Sequence, residues 1–435
     1  MSESHKLSLV SAILININIM LGSGIFINTV LLSKASGALG ALVYLLVGLL
    51  MLPLIIVFAE LLKFNQGGTF YEFGHIIHPF VGFLSSWSYF TAKLASCALS
   101  VHIFVTLVQR LIPVLSTCNP LMFDSGIIIL FLCLNLFNMR IGRSIQYAFI
   151  VLKLIPITFV LLAALFFFTG AYYTVDTFMW EGIPESIPFV LFAFSGFEAS
   201  CSLSRSIRDP HKNGPRAIFI SYFIVLSILI LYQLGLFGIL GSQLGGLASF
   251  RDVYPVLVTG IFPNSASLQV FFKAITLLGI AASSLGASYG IMYSNAWNLY
   301  ALAQHGHTFV PTYIGQLNRH HVPFVCVIIE GILALSYTWL AQGNQVPLQQ
   351  MSALGSTIAY SLSAISFMFV ALFITRNHRL VAALSLVSCL VLAASTINNG
   401  MVFGAAAYYG YGALIIAGLF MFSVTLTSSK QADTK

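Results

Sequence analysis

The sequence is poor in charged residues. Only 7% of its 435 residues are Asp, Glu, Lys or Arg, whereas a soluble domain carries about 25%. Nineteen basic and twelve acidic side chains are too few to solvate the surface of a water-soluble protein of this length, which excludes a cytosolic enzyme and any disordered or fibrous protein. The net charge of +7 does not indicate nucleic-acid binding, because the basic residues stand singly or in small groups between apolar runs.

The sequence also lacks the motifs of metal, redox and nucleotide chemistry. Its six cysteines show no C-x-x-C spacing and lie mostly inside apolar runs, which indicates packing rather than disulfides or metal ligands. There is no H-E-x-x-H motif and no phosphate loop of the G-x-x-x-x-G-K-[ST] type. We therefore expect no enzymatic activity, no cofactor and no bound metal. Four histidines between the eighth and ninth runs are interpreted as a solvated loop rather than a metal site: His305, His307, His320 and His321.

Long apolar runs dominate the chain instead. The hydrophobic fraction is 58%, and about 20 consecutive apolar residues span a bilayer. Backbone polar groups in hydrocarbon must pair within their own segment, so the runs predict helices rather than open strands. We expect an all-α integral membrane protein with about twelve transmembrane helices. The predicted spans are 9–33, 38–62, 81–111, 125–139, 146–169, 187–203, 217–240, 266–300, 323–341, 350–374, 380–398 and 405–427.

Basic residues are distributed unevenly between these runs. If the N-terminus is cytoplasmic, thirteen lie on the inner side: Lys6, Lys63, Arg140, Arg143, Arg205, Arg208, Lys212, Arg216, Arg319, Arg376, Arg379, Lys430 and Lys435. Three lie in outer loops: Lys34, Arg110 and Arg251. This asymmetry follows the positive-inside rule. It predicts a multi-pass protein with both termini cytoplasmic, in the inner membrane if the source is bacterial.

Two of the runs are interrupted at their middle. The first contains Gly22-Ser23-Gly24 and the sixth contains Ser195-Gly196, and glycine weakens a helix interior by about 1 kcal/mol relative to alanine. An opened helix offers N–H groups to a carboxylate and carbonyls to an ammonium group. Gly-interrupted helices at corresponding positions of two halves are typical of a transporter site. The alternative is that these glycines only let helices pack closely.

Motifs spread along most of the chain carry a resemblance to a known family. They lie at 22–26, 58–61, 67–71, 134–140, 151–156, 192–198, 208–217 and 302–307. In order and spacing they resemble the amino acid–polyamine–organocation (APC) superfamily of transporters. The resemblance implies a five-plus-five inverted repeat of the LeuT type, alternating access, and small amino acids or amines as substrates. The repeats would occupy 1–170 and 186–375, with two extra helices and a cytoplasmic tail in 376–435.

The interrupted helices supply the predicted substrate site. The predicted binding residues are Gly22, Ser23, Gly24, Ile25, Phe194, Ser195 and Gly196. Phe197, beside the second interruption, is a candidate gate, and Tyr360 in the tenth run is a candidate gate on the outer side. The chain departs from the family pattern at 202–208, which lacks the acidic residues that often precede this loop, and at Lys93.

Lysines inside the runs are candidates for coupling, since an ionisable residue in a membrane helix is costly. By the resemblance, Lys153 stands where related sodium-driven carriers bind sodium, and its ammonium would contact carbonyls near Gly22 and hydroxyls such as Ser283 or Ser284. It can also exchange protons. The alternative is a side chain whose head reaches the membrane interface.

Lys93 lies near mid-membrane in the third run. It either pairs with Glu198, faces the substrate path and favours an acidic ligand, or snorkels along its helix. Glu198 is a coupling candidate or forms a structural hydrogen bond. Lys273 is interpreted as snorkelling, and Glu330 receives no role.

The sequence therefore predicts a secondary transporter for an amino acid, working as a proton symporter or as an antiporter by exchange. A polyamine or organic-cation carrier is the alternative within transport, but it needs more carboxylates than the runs offer. A transporter-like membrane sensor is the alternative from another class. The identity of the amino acid and the oligomeric state stay open.

Overall fold

The structure is a computed structural model that describes residues 6–65, 68–137, 139–374 and 378–433. Of the residues that carried the sequence interpretation, Gly67, Asn138, Arg376 and Lys435 lie outside the described residues. The side chains of Arg140, Arg143, Arg205 and Lys430 also lie outside them. The predicted orientation of the termini stays a prediction.

The described residues form helices and no β-strand. Only two isolated bridges occur among them, Leu7 with Ile207 and Gly37 with Phe178. The all-α prediction is confirmed. The helices are α1 (Leu9–Met20), α2 (Gly24–Ser36), α3 (Gly40–Phe64), α4 (Phe70–His75), α5 (Pro79–Leu111), α6 (Pro120–Asn135), α7 (Met139–Phe167), α8 (Ile183–Phe194), α9 (Ala199–Ser202), α10 (Pro210–Leu240), α11 (Gln243–Gly246), α12 (Val253–Ile261), α13 (Ala266–Gln304), α14 (Pro311–Ile314), α15 (Phe324–Ala341), α16 (Gln345–Phe369), α17 (Arg379–Phe403) and α18 (Ala406–Asp433).

Shorter elements connect or extend these helices. Val370–Ile374 prolongs α16 as a π-helical turn. Single 3₁₀ turns lie at Pro113–Thr117, Gly170–Tyr172, Val175–Thr177, Trp180–Gly182, Ser204–Ser206 and Phe250–Asp252.

In the part of the chain that the structure describes, nine helices are long and apolar enough to cross a membrane, and a tenth span results if α1 and α2 are one bent helix. These ten match predicted runs in chain order. The fourth run is the shorter helix α6 of 16 residues, and the sixth is divided between α8, with 12 residues, and α9, with four. The structure therefore shows a multi-pass membrane protein, whereas the count of twelve crossings stays a prediction.

The first run is broken where its glycines predicted. The axes of α1 and α2 differ by 41° across Leu21–Ser23. The glycines also permit close packing. A Cβ at Gly22 would lie 2.6 Å from Cβ of Ala287, and one at Gly24 would lie 2.9 Å from Cα of Ala193. The glycines therefore lie at a helix break and also permit close packing, and the substrate site at this break stays a prediction.

The sixth run is broken in the same way. Helix α8 ends at Phe194 and α9 begins at Ala199. Gly196 has φ of 134°, and a Cβ there would lie 2.6 Å from Cγ2 of Ile19. Only glycine adopts this conformation readily, and it brings the second break directly against the end of α1.

Candidate functional site

The two breaks meet around one small polar cavity. It is lined by Ile19, Met20, Gly22, Ser23, Gly24, Lys93, Ser96, Ser100, Phe192, Ser195, Ala287 and Ile291. Its volume is about 20 Å³, enough for about one water molecule. The first break, the second break, α5 and α13 therefore line one small space in this structure.

A buried ion pair stands beside this cavity. Nζ of Lys93 lies 2.8 Å from Oε1 of Glu198, and the two residues are 2% and 0% exposed. Lys93 also donates a hydrogen bond to Oγ of Ser195. Snorkelling of Lys93 is thereby excluded, and the predicted pairing with Glu198 is the arrangement present.

Further donors hold the Glu198 carboxylate in place. The Tyr89 hydroxyl donates to its Oε1 at 3.0 Å, and the backbone N–H of Gly196 donates to its Oε2 at 2.9 Å. Nζ of Lys93 also lies 4.9 Å from the centroid of the Tyr89 ring, a favourable cation–π distance. The carboxylate therefore binds an N–H group released by the break in its own helix.

Lys153 holds the other break. Its Nζ donates to the backbone carbonyl of Asn18 at 2.7 Å and to that of Leu21 at 2.8 Å, and the side chain is fully buried. The Ser283 hydroxyl donates to the same Leu21 carbonyl at 2.7 Å. Ser284 instead donates to Ile280 in its own helix. An ammonium group thus occupies the carbonyl end of α1, and the alternative of a head at the membrane interface is wrong.

Phe194 does not line the cavity, and its role as a binding residue stays a prediction. Its ring centroid lies 5.5 Å from that of Tyr222 and 6.3 Å from that of Tyr44, so it packs on the far side of α8. Phe192, two residues earlier, supplies the aromatic surface of the cavity. Ile25 and Gly196 are likewise buried next to the cavity lining but are not part of it.

Tyr360, the predicted outer gate, packs among aromatic residues of α3, α4 and the second break. Its ring lies 5.4 Å from Phe58, 6.5 Å from Phe70 and 5.7 Å from Phe197. Phe58 and Phe70 flank the loop that follows Lys63, on the side predicted as cytoplasmic. On the predicted orientation Tyr360 lies toward the inner side, and its role as a gate stays a prediction. We call Phe58, Phe70, Phe73, Tyr89, Phe197 and Tyr360 the inner aromatic cluster.

Two cavity residues, Ser96 and Ser100, were missed from the sequence. They follow Lys93 by three and seven positions on α5, and this spacing places all three on one helix face. That pattern could have identified them. The Ser100 hydroxyl lies 3.2 Å from that of Ser23 and connects α5 to the first break, while the Ser96 hydroxyl lies 2.6 Å from that of Ser352 and connects α5 to α16.

The histidine loop is only partly solvated. His307 is buried, and its Nε2 lies 2.9 Å from the hydroxyl of Tyr71, while the His305 ring stacks on Tyr71 at 4.1 Å. Burial, followed by the neighbouring His305 and His75, lowers the pKa of His307 to about 4. Within the described part of the chain, no three metal-binding side chains are grouped as a metal site would require. Lys273 is partly exposed and bonds Gln269 one turn earlier.

Comparison with known proteins gives the family. The family model described as amino acid permease matches residues 7–429. The chain belongs to the amino acid permease family. The predicted APC membership is confirmed, and the protein is a membrane transporter of the amino acid permease type.

Named relatives agree with this assignment. The permease is 27% identical to the amino-acid permease RocE of Bacillus subtilis, over 81% of this chain and 79% of that protein. It is 24% identical to an uncharacterized transporter of Mycobacterium tuberculosis, over 92% and 88% of the two chains. It is also 24% identical to a D-serine/D-alanine/glycine transporter of Escherichia coli, over 82% and 76%.

Proposed function

We propose that this permease is a secondary active transporter that carries an amino acid across the membrane by alternating access, with the substrate held between the two helix breaks. The observation that carries the proposal is the meeting of both breaks around one cavity. Gly22, Ser23 and Gly24 approach it from the first break and Ser195 from the second. The names of two relatives, an amino-acid permease and a D-serine/D-alanine/glycine transporter, support an amino acid as the substrate.

The broken ends match the two charges of an amino acid. The first N–H groups of α2 have no partner within that helix, and the end carries a partial positive charge that suits a carboxylate. The last carbonyls of α8 suit an ammonium group for the same reason. A zwitterion placed between Gly24 and Phe192 therefore meets backbone groups of the right polarity at both ends.

The small size of the cavity supports alternating access. The cavity has room for about one water molecule, which is too little for an amino acid, so binding and release both require movement of the surrounding helices. The inner aromatic cluster closes the side below Glu198, since Tyr89 both joins that cluster and donates to Glu198. We assign the inner gate to Phe197 and Tyr360.

A carrier for polyamines or other organic cations fits less well. The residues that line the cavity include Lys93 and no carboxylate. Glu198, next to it, is neutralised by Lys93 at 2.8 Å. A dication in this space would meet an ammonium group rather than an acid.

A larger side chain that fills the cavity tests the proposed site. The assay measures uptake of a panel of labelled amino acids by purified protein in liposomes. We expect Ser100→Leu to remove uptake of the transported amino acid, because its side chain enters the space between the breaks. Ser227→Leu makes the same chemical change on an exposed face of α10 and is expected to transport normally.

Two results would oppose the proposal in different ways. If Ser100→Leu transports as well as the unmodified protein, the substrate does not occupy this cavity. If the unmodified protein moves none of the amino acids but moves polyamines, the substrate class is wrong. Retention of both variants in the membrane, measured by detergent extraction and size-exclusion chromatography, separates these results from misfolding.

A further inference from the structure

A second carboxylate, Glu330, is buried in the membrane region and has no ion-pair partner among the described residues. It lies on α15 and is 0% exposed. Neither of its oxygens makes a hydrogen bond of acceptable geometry with a described residue. An ionised carboxylate in such surroundings is very costly, and the neutral acid is the form that such a site tolerates.

The groups that face Glu330 do not compensate a negative charge. Cys97 of α5 and Cys326 of its own helix are its titratable neighbours, and α13 presents the uncharged Asn295. Helix α6 touches the next residue, Gly331, through Leu132. The acid of α6, Asp124, is eight positions and about 12 Å along that helix from Leu132, and it is bound by His102 of α5.

The nearest lysine on α5 is also engaged. Lys93 lies one turn from Cys97 but is paired with Glu198. From α14, the carbonyl of Ile314 accepts a weak hydrogen bond from the Cys326 thiol. Among the described residues, the charged groups near Glu330 are therefore paired with other side chains.

A chain of amides joins this position to the second helix break. Asn295, beside Glu330, accepts a hydrogen bond from Nδ2 of Asn298 at 3.2 Å. Asn298 also donates to the Ser202 hydroxyl at 3.1 Å. Ser202 ends α9, which begins directly after Glu198. Helix α9 is thus linked by side chains to the surroundings of Glu330.

We propose that Glu330 is the proton-binding site that couples transport to a proton gradient. The proposal rests on the proposed transport function and adds the coupling ion and its residue. In the closed state the acid is neutral. When the inner side opens, the carboxylic O–H bond breaks, the electron pair remains on the carboxylate and the proton passes to water. A proton from the outer solution restores the acid in the next cycle.

The amide chain explains how proton loss changes the gate. A carboxylate at Glu330 attracts N–H donors, and the Asn295 amide is the donor beside it. Its Nδ2 now donates to the Phe90 carbonyl at 3.0 Å. Turning toward the carboxylate breaks that bond and disturbs the link through Asn298 to Ser202. The charge of Glu330 and the position of α9 are therefore coupled through defined hydrogen bonds.

Infrared spectroscopy of the full protein tests the protonation state without transport. We expect the unmodified protein at neutral pH to show the carbonyl band of a protonated carboxylic acid, and Glu330→Gln to lack that band. Absence of this difference means that Glu330 is ionised and overturns the proposal. Asp176→Asn removes an exposed carboxyl group and is the matched control, with the band unchanged.

Transport in liposomes tests the coupling. One proton per substrate at a gradient of one pH unit supports about tenfold accumulation. We expect the unmodified protein and Asp176→Asn to reach that ratio, whereas Glu330→Gln only equilibrates the substrate across the membrane. Exchange of labelled for unlabelled substrate needs no gradient and is expected to persist in Glu330→Gln.

The readouts separate failure of the coupling from failure of the transport function. If Glu330→Gln accumulates substrate as well as the unmodified protein does, Glu330 is not the proton site. The proposal is also overturned if the unmodified protein exchanges substrate but never accumulates it. If the unmodified protein does not exchange any amino acid, the transport function fails, and the infrared band still decides whether Glu330 binds a proton. Should Glu330→Gln not fold, proton uptake with substrate by the unmodified protein, measured with a pH electrode, decides the coupling.

Discussion

The two helix breaks are held by opposite charges. At the first break, Lys153 donates to the carbonyls of Asn18 and Leu21, the end of α1. At the second, Glu198 accepts the N–H of Gly196. Each charge therefore binds the kind of backbone group that the break beside it leaves without a helical partner, as helix termini require.

The breaks differ in how their charges are compensated. Lys153 is surrounded by neutral carbonyls, whereas Glu198 has Lys93 at 2.8 Å. Removing Lys153 leaves polar but uncharged groups, while removing Lys93 leaves a buried charge. Loss of the lysine is therefore expected to destabilise the protein more at the second break than at the first. This difference in stability can be measured.

Loss of Lys93 is expected to have the largest effect. Lys93→Met leaves Glu198 uncompensated, and removal of one partner of a buried pair costs about 3–5 kcal/mol. We expect a large loss of stability and loss of transport of every substrate. Thermal unfolding in detergent and uptake of an amino-acid panel measure both.

The double variant sharpens this prediction. Lys93→Met with Glu198→Gln removes both charges and is expected to regain part of the stability and activity. If Lys93→Met instead weakens only acidic substrates, Lys93 contacts the substrate carboxylate and the pair with Glu198 is secondary. A variant as stable and active as the unmodified protein contradicts both accounts.

Loss of Lys153 is expected to have a smaller effect. Lys153→Met removes charge-assisted hydrogen bonds, which contribute about 1.5–3 kcal/mol each. It also removes the desolvation cost of the buried ammonium group, which offsets part of that loss. We expect a moderate loss of stability and slower return of the empty carrier, seen as impaired net uptake with exchange preserved.

The position of Lys153 at the first break also predicts that transport does not require sodium. If the Lys153 ammonium stands where related carriers hold sodium, uptake by the unmodified protein is equal in sodium and choline buffers. A clear requirement for sodium contradicts this assignment of Lys153.

Loss of a single hydroxyl at the first break is expected to reduce stability by a still smaller amount. Ser283→Ala removes the bond to the Leu21 carbonyl, which keeps the bond from Lys153. A neutral hydrogen bond contributes about 1 kcal/mol, so a small fall in the unfolding temperature is expected. Ser284→Ala, whose hydroxyl bonds within its own helix, is the matched control. Equal effects of the two variants would mean that Ser283 does not support the break.

The effect that is smallest at neutral pH lies away from both breaks, because it appears only in acid. Burial lowers the pKa of His307 from 6.5 to about 4, so the unfolded chain binds this proton first and stability falls as pH drops from 6.5 toward about 4. Burial, followed by the charge of Glu72, raises the pKa of Tyr71 to about 12, so Tyr71 stays neutral throughout this range.

A variant isolates this contribution. His307→Phe is expected to reduce the fall in unfolding temperature between pH 6.5 and 4. His320→Phe, in the partly exposed loop after α14, is expected to keep it. If the pH dependence of His307→Phe is unchanged, acid sensitivity arises elsewhere, and the ionisable groups of the breaks are the next to test.

Much of the site could be predicted because it depends on rare residues. Gly22, Gly24 and Gly196 in otherwise apolar runs indicated both breaks, and lysines stood out because charges are so few. The contact of Lys153 with carbonyls near Gly22 was also expected. The faces of aromatic residues could not be predicted, because a membrane helix is apolar toward lipid as well as toward its neighbours and so has no amphipathic pattern to orient Phe194 or Tyr360.

The sequence by itself determined the fold class, the family and the two interruptions, because these depend on composition, on local helix weakness and on the order of motifs. Three features emerge only from the tertiary structure: Lys93 pairs with Glu198, Tyr360 packs in the inner aromatic cluster, and Glu330 has no ion-pair partner among the described residues. The physical reason is that each of these outcomes depends on which helices touch. Contacts between residues more than a hundred positions apart, such as Lys93 with Ser195 and Glu198, follow from packing rather than from any local pattern.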